Sequence, residues 1–474
     1  VQDTGIPLRL RLEEAGVKTE GKWLLAEGAD AAAMSRSIPM EKALDDCMVA
    51  FKMNGEALRP EQGYPVRLVV PGWEGNMWVK WLRRLEVGDQ PSHHRDETSK
   101  YTDLLDNGTP RPPTRENDAK GERPRPRPPG PRRARAAGVA FADQNTRGGA
   151  GDYPQWARVE QRLRDRLGWL INVEPADVAL LKNTSEGLSV IAQGLDWRAG
   201  DQVVISDQEF PSNRIPWQAL ADQGVEVVEV DVSGTDAEQR VIDAIGERTR
   251  LVSLSSVQYG SGIRLNLAPI GRACRDSGVL FCVDAIQSLG AVRFDSGEVY
   301  ADFVVADGHK WMLGPEGLAL FYCRPAVRER LRLRQFGWHM IANAGDYSQT
   351  GWRVAEDARR FECGSPNMLG AHALDASLSL FQELGMDTVA QALAERISYL
   401  DSALRDRGAD VLGPAQAERR AGIVTFRLMD EAPADTRARL QAGGVVCAER
   451  GGGVRFSPHF YTDYSVMDRA VALL

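Results

Sequence analysis

Seven short apolar segments, separated by stretches with a helical pattern, occupy the middle of the chain. Such alternation is typical of a mostly parallel β-sheet covered by helices on both faces. Ligands on these sheets bind at the carboxyl ends of the strands. The pattern therefore predicts an open α/β sheet and directs attention to the residues that end each strand. The predicted strands are Val178–Leu181, Gln202–Ser206, Glu226–Asp231, Arg250–Val257, Val279–Ala285, Asp302–Ala306 and Leu318–Tyr322.

The composition changes abruptly in a tract rich in Pro and Arg, Arg123–Arg133. Proline removes amide donors and like charges repel each other. An extended linker is therefore favoured over a basic surface that binds nucleic acid or an acidic partner. The expected division is a first module over 1–105, a linker over 106–137, a large domain over 138–366 and a smaller C-terminal α+β domain over 367–474.

The net charge is −8, and no apolar run approaches the roughly 20 residues of a membrane helix. Neither nucleic acid nor a membrane is therefore expected as a partner. The six cysteines form no Cys-x-x-Cys pair, which argues against a metal site and suits a reducing, cytoplasmic compartment. Cys282 and Cys323 are expected to be buried, inert thiols. The chain begins at Val1, which favours a fragment or a processed product.

One lysine follows the sixth predicted strand. The strand breaks at Asp307-Gly308, Lys310 lies in a turn bounded by Gly and Pro, and the seventh strand begins at Leu318. A lysine between two buried strands is costly unless it is neutralised. A Schiff base to a carbonyl cofactor neutralises it. On its own, Lys310 is also compatible with a surface loop.

Three other strand ends carry polar or aromatic side chains. Thr184 and Ser185 stand between a strand and a helix, where hydroxyl groups and amides suit a phosphate, although helix capping also explains them. Phe210 follows the next strand and could stack on a flat ring. Asp284 ends an apolar strand, where its carboxylate would hold a pyridinium nitrogen, and Gln287 could reach the oxygen of the ring.

These features form a phosphate cradle, a ring stacker, a pyridinium partner and a Schiff-base lysine, in that order along the chain. The set is far more specific than any single member. It predicts pyridoxal 5′-phosphate (PLP) as the cofactor, with an amino acid as the substrate and without a metal.

The motifs Asn183–Gly187, Val283–Gln287 and Ala306–Trp311 resemble those of the class V aminotransferase family, which includes cysteine desulfurases, isopenicillin epimerase-like proteins and kynureninases. The resemblance covers about residues 138–474. It implies fold type I of the PLP-dependent transferases, with a mostly parallel sheet and a small C-terminal α+β domain. It also implies a homodimer with its active sites at the interface.

By this resemblance, Lys310 would carry the Schiff base and Asp284 would pair with the pyridine nitrogen. Gln287 would contact the oxygen of the ring, and Phe210 would stack on its face. These four assignments agree with the roles that the strand ends indicate.

The resemblance also implies which residues would bind the phosphate of the cofactor and the carboxylate of the substrate. Thr184, Ser185 and His309 would hold the phosphate. Arg455 would bind the substrate carboxylate as a bidentate fork, although an arginine on a strand is more often solvated. Trp338 would reach the cofactor of the partner subunit.

Several departures from the family bear on the reaction. Desulfurases usually stack a histidine where this chain has Phe210. They also carry a reactive cysteine on a long loop before the substrate arginine, whereas Cys447 reaches Arg455 with almost no loop. Asp307 replaces a phosphate-binding serine, and the family's Asn-x-Ala-x-x-Gly stretch is absent. We expect an aminotransferase, lyase or epimerase without persulfide transfer.

In the first module, a helix is expected over Ala29–Phe51 and a strand over Trp78–Val87. Lys80 and Arg84 stand on that strand near aromatic residues. They are equally compatible with an anion site and with solvated side chains.

The runs Asn54–Pro65, Pro71–Asn76, Lys80–Arg84 and Glu97–Tyr101 resemble the molybdopterin-binding domain of bacterial sulfite dehydrogenases. The resemblance implies a partial sulfite-oxidase-like α+β module. The family's metal-binding cysteine lies in a Cys-x-Gly-Asn-x-Arg context that this chain lacks, and Cys47 lies in a different one, so molybdopterin is not expected. The alternatives to a PLP-dependent enzyme are a molybdopterin-dependent sulfite dehydrogenase fragment and an inactive fusion of two truncated modules.

Overall fold

The computed structural model describes residues 3–18, 21–29, 35–71, 78–90, 103–104, 110–111, 129–346, 348 and 350–474. At 103–104, 110–111 and 129–131 it describes the backbone alone. The chain forms two compact units, Val1–Pro126 and Arg127–Leu474.

The first unit is built mainly from antiparallel strands. Its elements are β1 (Asp3–Pro7), α1 (Leu8–Glu14), β2 (Trp23–Gly28), β3 (Ser35–Pro39), α2 (Met40–Asp45), β4 (Met48–Met53), β5 (Glu56–Ala57), β6 (Arg67–Val69), β7 (Leu82–Gly88), β8 (Asp103–Leu104) and β9 (Pro110–Arg111). β4 pairs with β1, β5 and β6, β2 pairs with β3 and β7, and β8 pairs with β9.

The helix predicted over Ala29–Phe51 is wrong. The described part of this range holds β3, the short helix α2 and β4. Pro39 precedes α2 and stops a helix from continuing through it, because proline disfavours the α conformation in the residue before it. Strand pairing with β2 and β1 then takes the flanking residues.

The second unit begins with a helix inside the predicted linker. α3 (Pro129–Gly148) starts before residue 137, and the Arg133 guanidinium donates to the Glu383 carboxylate at 2.7 and 2.8 Å. Prolines suit the first turn of a helix, and the Arg- and Ala-rich sequence that follows favours helix. Residues 129–137 of the predicted linker are therefore helical, whereas residues 112–128 lie outside the described part of the chain.

A seven-stranded sheet forms the centre of the second unit. Its strands are β10 (Val178–Leu181), β11 (Gln202–Ser206), β12 (Glu226–Val230), β13 (Thr249–Ser255), β14 (Leu280–Asp284), β15 (Phe303–Asp307) and β16 (Ala319–Cys323). They lie in the order β10-β16-β15-β14-β13-β11-β12. All neighbouring pairs are parallel except those of β16, which runs antiparallel to β15 and β10.

Both faces of the sheet are buried. Along β14, Phe281 and Val283 join one apolar cluster, and Leu280 and Cys282 join the other, as the alternation of side chains in a strand requires. The helices that surround the sheet are α4 (Tyr153–Ile171), α5 (Thr184–Gly194), α6 (Ile215–Gln218), α7 (Ala237–Asp243), α8 (Leu267–Asp276) and α9 (Pro325–Arg328).

The C-terminal part carries a smaller antiparallel sheet in the order β17-β18-β20-β19. The division at residue 366 stays a prediction. Among the described residues, no helix is long and apolar enough to cross a membrane. The elements are α10 (Met368–Leu384), α11 (Met386–Asp406), β17 (Asp410–Leu412), β18 (Val424–Arg427), α12 (Pro433–Ala442), β19 (Ala448–Arg450), β20 (Gly453–Phe456) and α13 (Tyr464–Ala472).

Candidate active site

The carboxyl ends of β14 and β15 lie side by side, because the strands are parallel and Asp284 pairs with Val305. Asp307 stands two residues beyond Val305 on the same face of the sheet. The two carboxyl groups therefore approach the same edge of the sheet, where the chain leaves β15 and turns toward Lys310.

The turn that carries Lys310 is closed by backbone hydrogen bonds. The amide of Gly308 donates to the carbonyl of Leu318 at 2.9 Å, and the amide of Gly314 donates to the carbonyl of Gly308 at 2.8 Å. The amide of Leu313 donates to the carbonyl of Lys310 at 3.1 Å. The Lys310 backbone is therefore fixed between two neighbouring antiparallel strands.

The Lys310 amine lies between charged groups and an aromatic ring. Its Nζ is 5.6 Å from the centroid of the Phe210 ring. Burial lowers the pKa of Lys310; the Asp284 carboxylate opposes this decrease and the Arg455 guanidinium adds to it. Because a lowered pKa increases the neutral, nucleophilic fraction of an amine, Lys310 suits attachment to a carbonyl group.

The Asp284 carboxyl is 2% exposed, and its Oδ1 accepts a hydrogen bond from the amide of Ile286 at 3.0 Å. Burial raises the pKa of Asp284 to about 7, with a further increase from Glu209 and an opposing effect of Lys310. A buried carboxylate whose charge is balanced by so few hydrogen bonds is stabilised by a cationic partner. A protonated ring nitrogen meets that requirement.

The Phe210 ring remains accessible at the site, with 39% of the residue exposed. Its edge packs against Tyr259, with ring centroids 5.1 Å apart and planes at 78°. Tyr259 therefore sets the orientation of the ring without covering it completely. An accessible aromatic ring beside Lys310 can pack on a flat cofactor.

Gln287 is oriented by Trp311, which is not among the predicted site residues. Trp311 Nε1 donates to Gln287 Oε1 at 2.9 Å, which leaves the NH₂ group of the side-chain amide to donate to a ligand. The Trp311 carbonyl lies 3.0 Å from His459 Nε2. Burial lowers the pKa of His459 to about 4, and its Nδ1 accepts from the amide of Phe460 at 2.9 Å. The neutral ring therefore carries its proton on Nε2 and donates to the Trp311 carbonyl.

Helix α5 starts beside the end of β15. The amide of Thr184 donates to Asp307 Oδ1 at 3.2 Å, and the amide of Asp307 donates to Thr184 Oγ1 at 3.1 Å. Asn183 Oδ1 caps the helix by accepting from the amide of Glu186 at 2.9 Å. Asp307 thus takes an amide at the helix start that would otherwise be available to an anion.

Gly187 lets the first turn of α5 lie directly on the sheet. A Cβ atom at this position would lie 2.6 Å from Val305 Cγ1, closer than side-chain packing allows. The glycine therefore holds Thr184 and Ser185 next to the end of β15.

Ser185 and His309 complete the predicted phosphate end. The Ser185 side chain is exposed and donates to Ser212 Oγ at 2.8 Å. His309 Nδ1 lies 3.8 Å from Asp307 Oδ2. Asp307 therefore contacts Thr184 and His309, two of the three residues predicted to hold the phosphate.

Arg455 enters the site from β20. Its Nη1 donates to the carbonyl of Tyr259 at 2.6 Å, and its buried Nε has no hydrogen-bond partner among the described residues. Burial lowers the pKa of Arg455, and Arg450 lowers it further. A guanidinium with unused donors beside Lys310 suits a substrate carboxylate.

Trp338 is positioned by a different part of the unit. Its ring centroid is 5.1 Å from that of His339, and the preceding Gly337 packs against the carbonyl of Cys363. The predicted role of Trp338 at a partner subunit stays a prediction.

Glu160, His339 and Glu362 place ligand atoms within 4.8 Å of one another, but an arginine already binds the two carboxylates. Arg164 donates to both oxygens of Glu362, at 2.6 and 2.8 Å, and to Glu160. Burial opposes the charge of Arg164, yet the two carboxylates raise its pKa overall. The guanidinium therefore supplies the positive charge that a metal ion would bring.

The chain matches the family model "Aminotransferase class-V" over residues 153–463, well over half of its length. The chain belongs to the class V aminotransferase family. A probable cysteine desulfurase of Methanothermobacter thermautotrophicus is 30% identical over 356 residues, which cover 69% of this chain and 86% of that protein. An uncharacterized aminotransferase of Bacillus subtilis is 30% identical over 312 residues, 65% of this chain and 81% of that protein.

Several solved structures share the fold of the second unit. A cysteine desulfurase from Thermococcus onnurineus NA1 aligns with a TM-score of 0.64 and 24% identity, covering 72% of this chain and 90% of that chain. The cystine C-S lyase C-DES, bound to cysteine persulfide, aligns with a TM-score of 0.65 and 26% identity, covering 73% and 93%. The predicted PLP-dependent transferase fold type I is therefore confirmed.

The cofactor of this class V family is PLP, and the site fits it. The buried Asp284 carboxyl, the part-buried Lys310 amine and the accessible Phe210 ring provide a charge partner, a nucleophile and a packing surface for one flat ring. At the phosphate end the fit is weaker, because the Asp307 carboxyl takes the Thr184 amide.

Residues 2–95 match the model "Oxidoreductase molybdopterin binding domain", which confirms the resemblance of the first module. Cys47 is 3% exposed, and burial raises the pKa of its thiol to about 12. The Cys47 thiol packs in the apolar cluster of the first unit, where it is inert and does not present its sulfur to a metal ion. Parts of the quoted motifs, residues 72–77 and 91–102, lie outside the described residues.

Lys80 and Arg84, the two basic residues considered for an anion site, are bound by protein groups. Lys80 Nζ donates to the carbonyl of Glu61 at 2.6 Å, and Arg84 pairs with Glu86 at 2.6 Å. These contacts favour the interpretation as solvated, internally paired side chains over an anion site.

Proposed function

We propose that the second unit is a PLP-dependent enzyme that acts on an amino acid and attaches its cofactor through Lys310. The juxtaposition of Lys310 and Asp284 at two neighbouring strand ends carries this proposal. The amine has a lowered pKa and the carboxyl a raised one. This pair suits a carbonyl carbon and a ring nitrogen of one cofactor.

PLP, when bound, supplies an electron-withdrawing ring that stabilises negative charge at the substrate α-carbon. Asp284 would hold a proton at the ring nitrogen, and Gln287 would donate to the oxygen of the ring. Phe210 would cover one face and exclude water from it. Lys310, as a neutral amine, would move the proton at the substrate α-carbon.

The remaining predicted residues would bind the two anionic ends. Arg455 would orient the substrate carboxylate through donors that its bond to Tyr259 leaves unused. The hydroxyl groups of Thr184 and Ser185 and the imidazole of His309 would hold the phosphate. Aminotransferase, lyase and epimerase reactions all begin from this arrangement.

Sulfur-containing amino acids are the substrates to test first, since similar proteins are a probable cysteine desulfurase and a cystine C-S lyase. Persulfide transfer through a protein thiol is disfavoured. Cys447 precedes β19, and burial raises the pKa of its thiol, which makes it a poor nucleophile.

A homodimer is part of the proposal. Phe336 and Trp352 flank the Trp338 segment and are 63% and 57% exposed, with ring centroids 6.1 Å apart. Paired exposed aromatic rings are typical of a protein–protein contact. A second copy covering them would bring Trp338 near the partner's site.

The visible absorption spectrum of the purified protein, with and without borohydride, tests this function. The wild type should show a cofactor band that borohydride abolishes, and Lys310→Ala should lack it. Lys182→Ala is the matched control, because Lys182 is exposed and pairs with Glu186. A protein that stays colourless after PLP is added would contradict the proposal and favour an inactive fusion. Molybdenum in the purified protein would favour the sulfite dehydrogenase alternative.

A further inference from the structure

A further buried carboxyl group, that of Glu209, lies next to the site and has no role in the function proposed above. Glu209 is 6% exposed and forms no ion pair with a lysine or arginine of the described residues. A glutamate in such a place is costly unless several donors compensate its charge.

Hydrogen bonds from several elements converge on Glu209. Ser206 Oγ donates at 2.9 Å, and the amide and the hydroxyl of Ser255 also donate, the amide at 2.8 Å. Asn213 Nδ2 donates at 2.9 Å and Gln258 Nε2 at 3.5 Å. The carboxyl group thereby ties the segment after β11 to the end of β13.

Asn213 is itself held in one orientation. Its Oδ1 accepts from Trp217 Nε1 at 3.1 Å and from Ser253 Oγ at 2.6 Å. Its NH₂ group is therefore directed at Glu209. A carboxylate, which has two acceptor oxygens, suits this position better than a neutral amide would. The surroundings of Glu209 are built for a carboxylate.

Two features connect Glu209 to the cofactor site. Phe210 is the next residue, so the bonds of Glu209 fix the backbone that carries the ring. Ser255, which donates twice to Glu209, pairs with Asp284 across β13 and β14. Glu209 therefore lies beside Asp284 and raises its pKa, as Asp307 does, whereas Lys310 lowers it. Burial raises the pKa of Glu209 itself, and the hydrogen bonds from Ser255, Asn213 and Ser206 oppose that increase.

We propose that Glu209 is a positioning residue for the cofactor ring, which holds Phe210 through its hydrogen bonds and adds a negative charge beside Asp284. This inference rests on the proposed function. Glu209 would favour the protonated, electron-poor form of the cofactor ring, because additional carboxylate charge stabilises a protonated ring nitrogen.

The pH dependence of the bound cofactor's visible absorbance tests the charge of Glu209. Removing a nearby negative charge disfavours protonated groups. Glu209→Gln should therefore shift the midpoint of the absorbance change to lower pH by about one unit. It should also weaken PLP binding about tenfold, because Asn213 loses its acceptor. Asp207→Asn removes the same charge two residues away at an exposed position and should leave the midpoint unchanged.

A purely structural role would weaken binding without moving the midpoint, so an unshifted midpoint in Glu209→Gln would overturn the inference. If that variant does not fold, Glu209→Asp replaces it. Glu209→Asp keeps the charge and should keep the wild-type midpoint, and a shift of about one unit there would also overturn it. A colourless wild type would instead refute the proposed function.

Discussion

Thr184 and Asp307 exchange two hydrogen bonds, each backbone amide donating to the side chain of the other. The pair joins the start of helix α5 to the end of strand β15. It also places a carboxyl group where the expected cofactor needs donors for its phosphate. The strongest departure of this chain from its family therefore lies at the phosphate end, and it leads to the first prediction.

Asp307→Asn should strengthen PLP binding by about three- to tenfold, since removing one nearby like charge is worth about 1 kcal/mol. Asparagine keeps an oxygen for the Thr184 amide, so the start of the helix should stay in place. Fluorescence titration with PLP measures the dissociation constant. Weaker binding in Asp307→Asn would show that the carboxylate holds the site together rather than opposing the phosphate.

The contribution of Asp284 to the stability of the cofactor-free protein should fall as pH rises from about 4 to 7. The Asp284 carboxyl has a pKa of about 7 in the folded protein, against about 3.9 in an unfolded chain. The unfolded state releases its proton first, so the stabilisation is complete below about pH 4 and lost by about pH 7. Thermal unfolding of the wild type and Asp284→Asn measures the effect, and the variant should show a smaller decrease.

Arg455→Lys should raise the KM for an amino-acid substrate by about ten- to a hundredfold, because an ammonium cannot replace a bidentate guanidinium. The bond of Arg455 to the Tyr259 carbonyl should weaken as well. Steady-state kinetics with an amino acid and with the corresponding amine, which lacks the carboxylate, separate the two effects. An equal loss for both compounds would mean that Arg455 does not bind the carboxylate.

Arg164→Leu should destabilise the protein by about 3–5 kcal/mol, because it leaves Glu160 and Glu362 buried without their cation. Urea unfolding measures the change. Arg158→Leu on the same helix α4 is the control, because Arg158 is exposed. A chelator should not change the stability of the wild type, and a clear loss on adding one would show that the cluster holds a metal.

Gly187→Ala should weaken PLP binding at least about tenfold, because its Cβ atom would meet Val305 Cγ1 at 2.6 Å and displace the start of α5. Gly148→Ala, for which no atom lies within 4 Å of the added Cβ, should bind PLP like the wild type. Equal binding by both variants would place the phosphate away from the start of α5.

The strands of the large sheet were predictable because each is a short apolar run that ends in polar residues. The residues that lie on their ends, Asp284 and Lys310, could therefore be placed together. Glu209 and Trp311 were not singled out, since their importance depends on partners from other strands and loops. Ser255 and Asn213 converge on Glu209 only in three dimensions, and no spacing along the chain signals it.

Helix α3 was not predicted for a related reason. The Pro-Arg tract has the composition of a linker, but its last residues form a helix that is held by the bond between Arg133 and Glu383, 250 positions apart. Local composition carries no information about such a partner.

The turn of Lys310 is closed by the bond between the Gly308 amide and the Leu318 carbonyl, so its backbone has little freedom to follow a ligand. Any movement of the amine between attachment and proton transfer must then come from rotation about side-chain bonds alone. The distance over which the Lys310 amine can move is therefore set by the four methylene groups of its side chain. The amide protons of Gly308 and Gly314 should accordingly be among the slowest in this region to exchange with deuterium, whether or not the cofactor is bound.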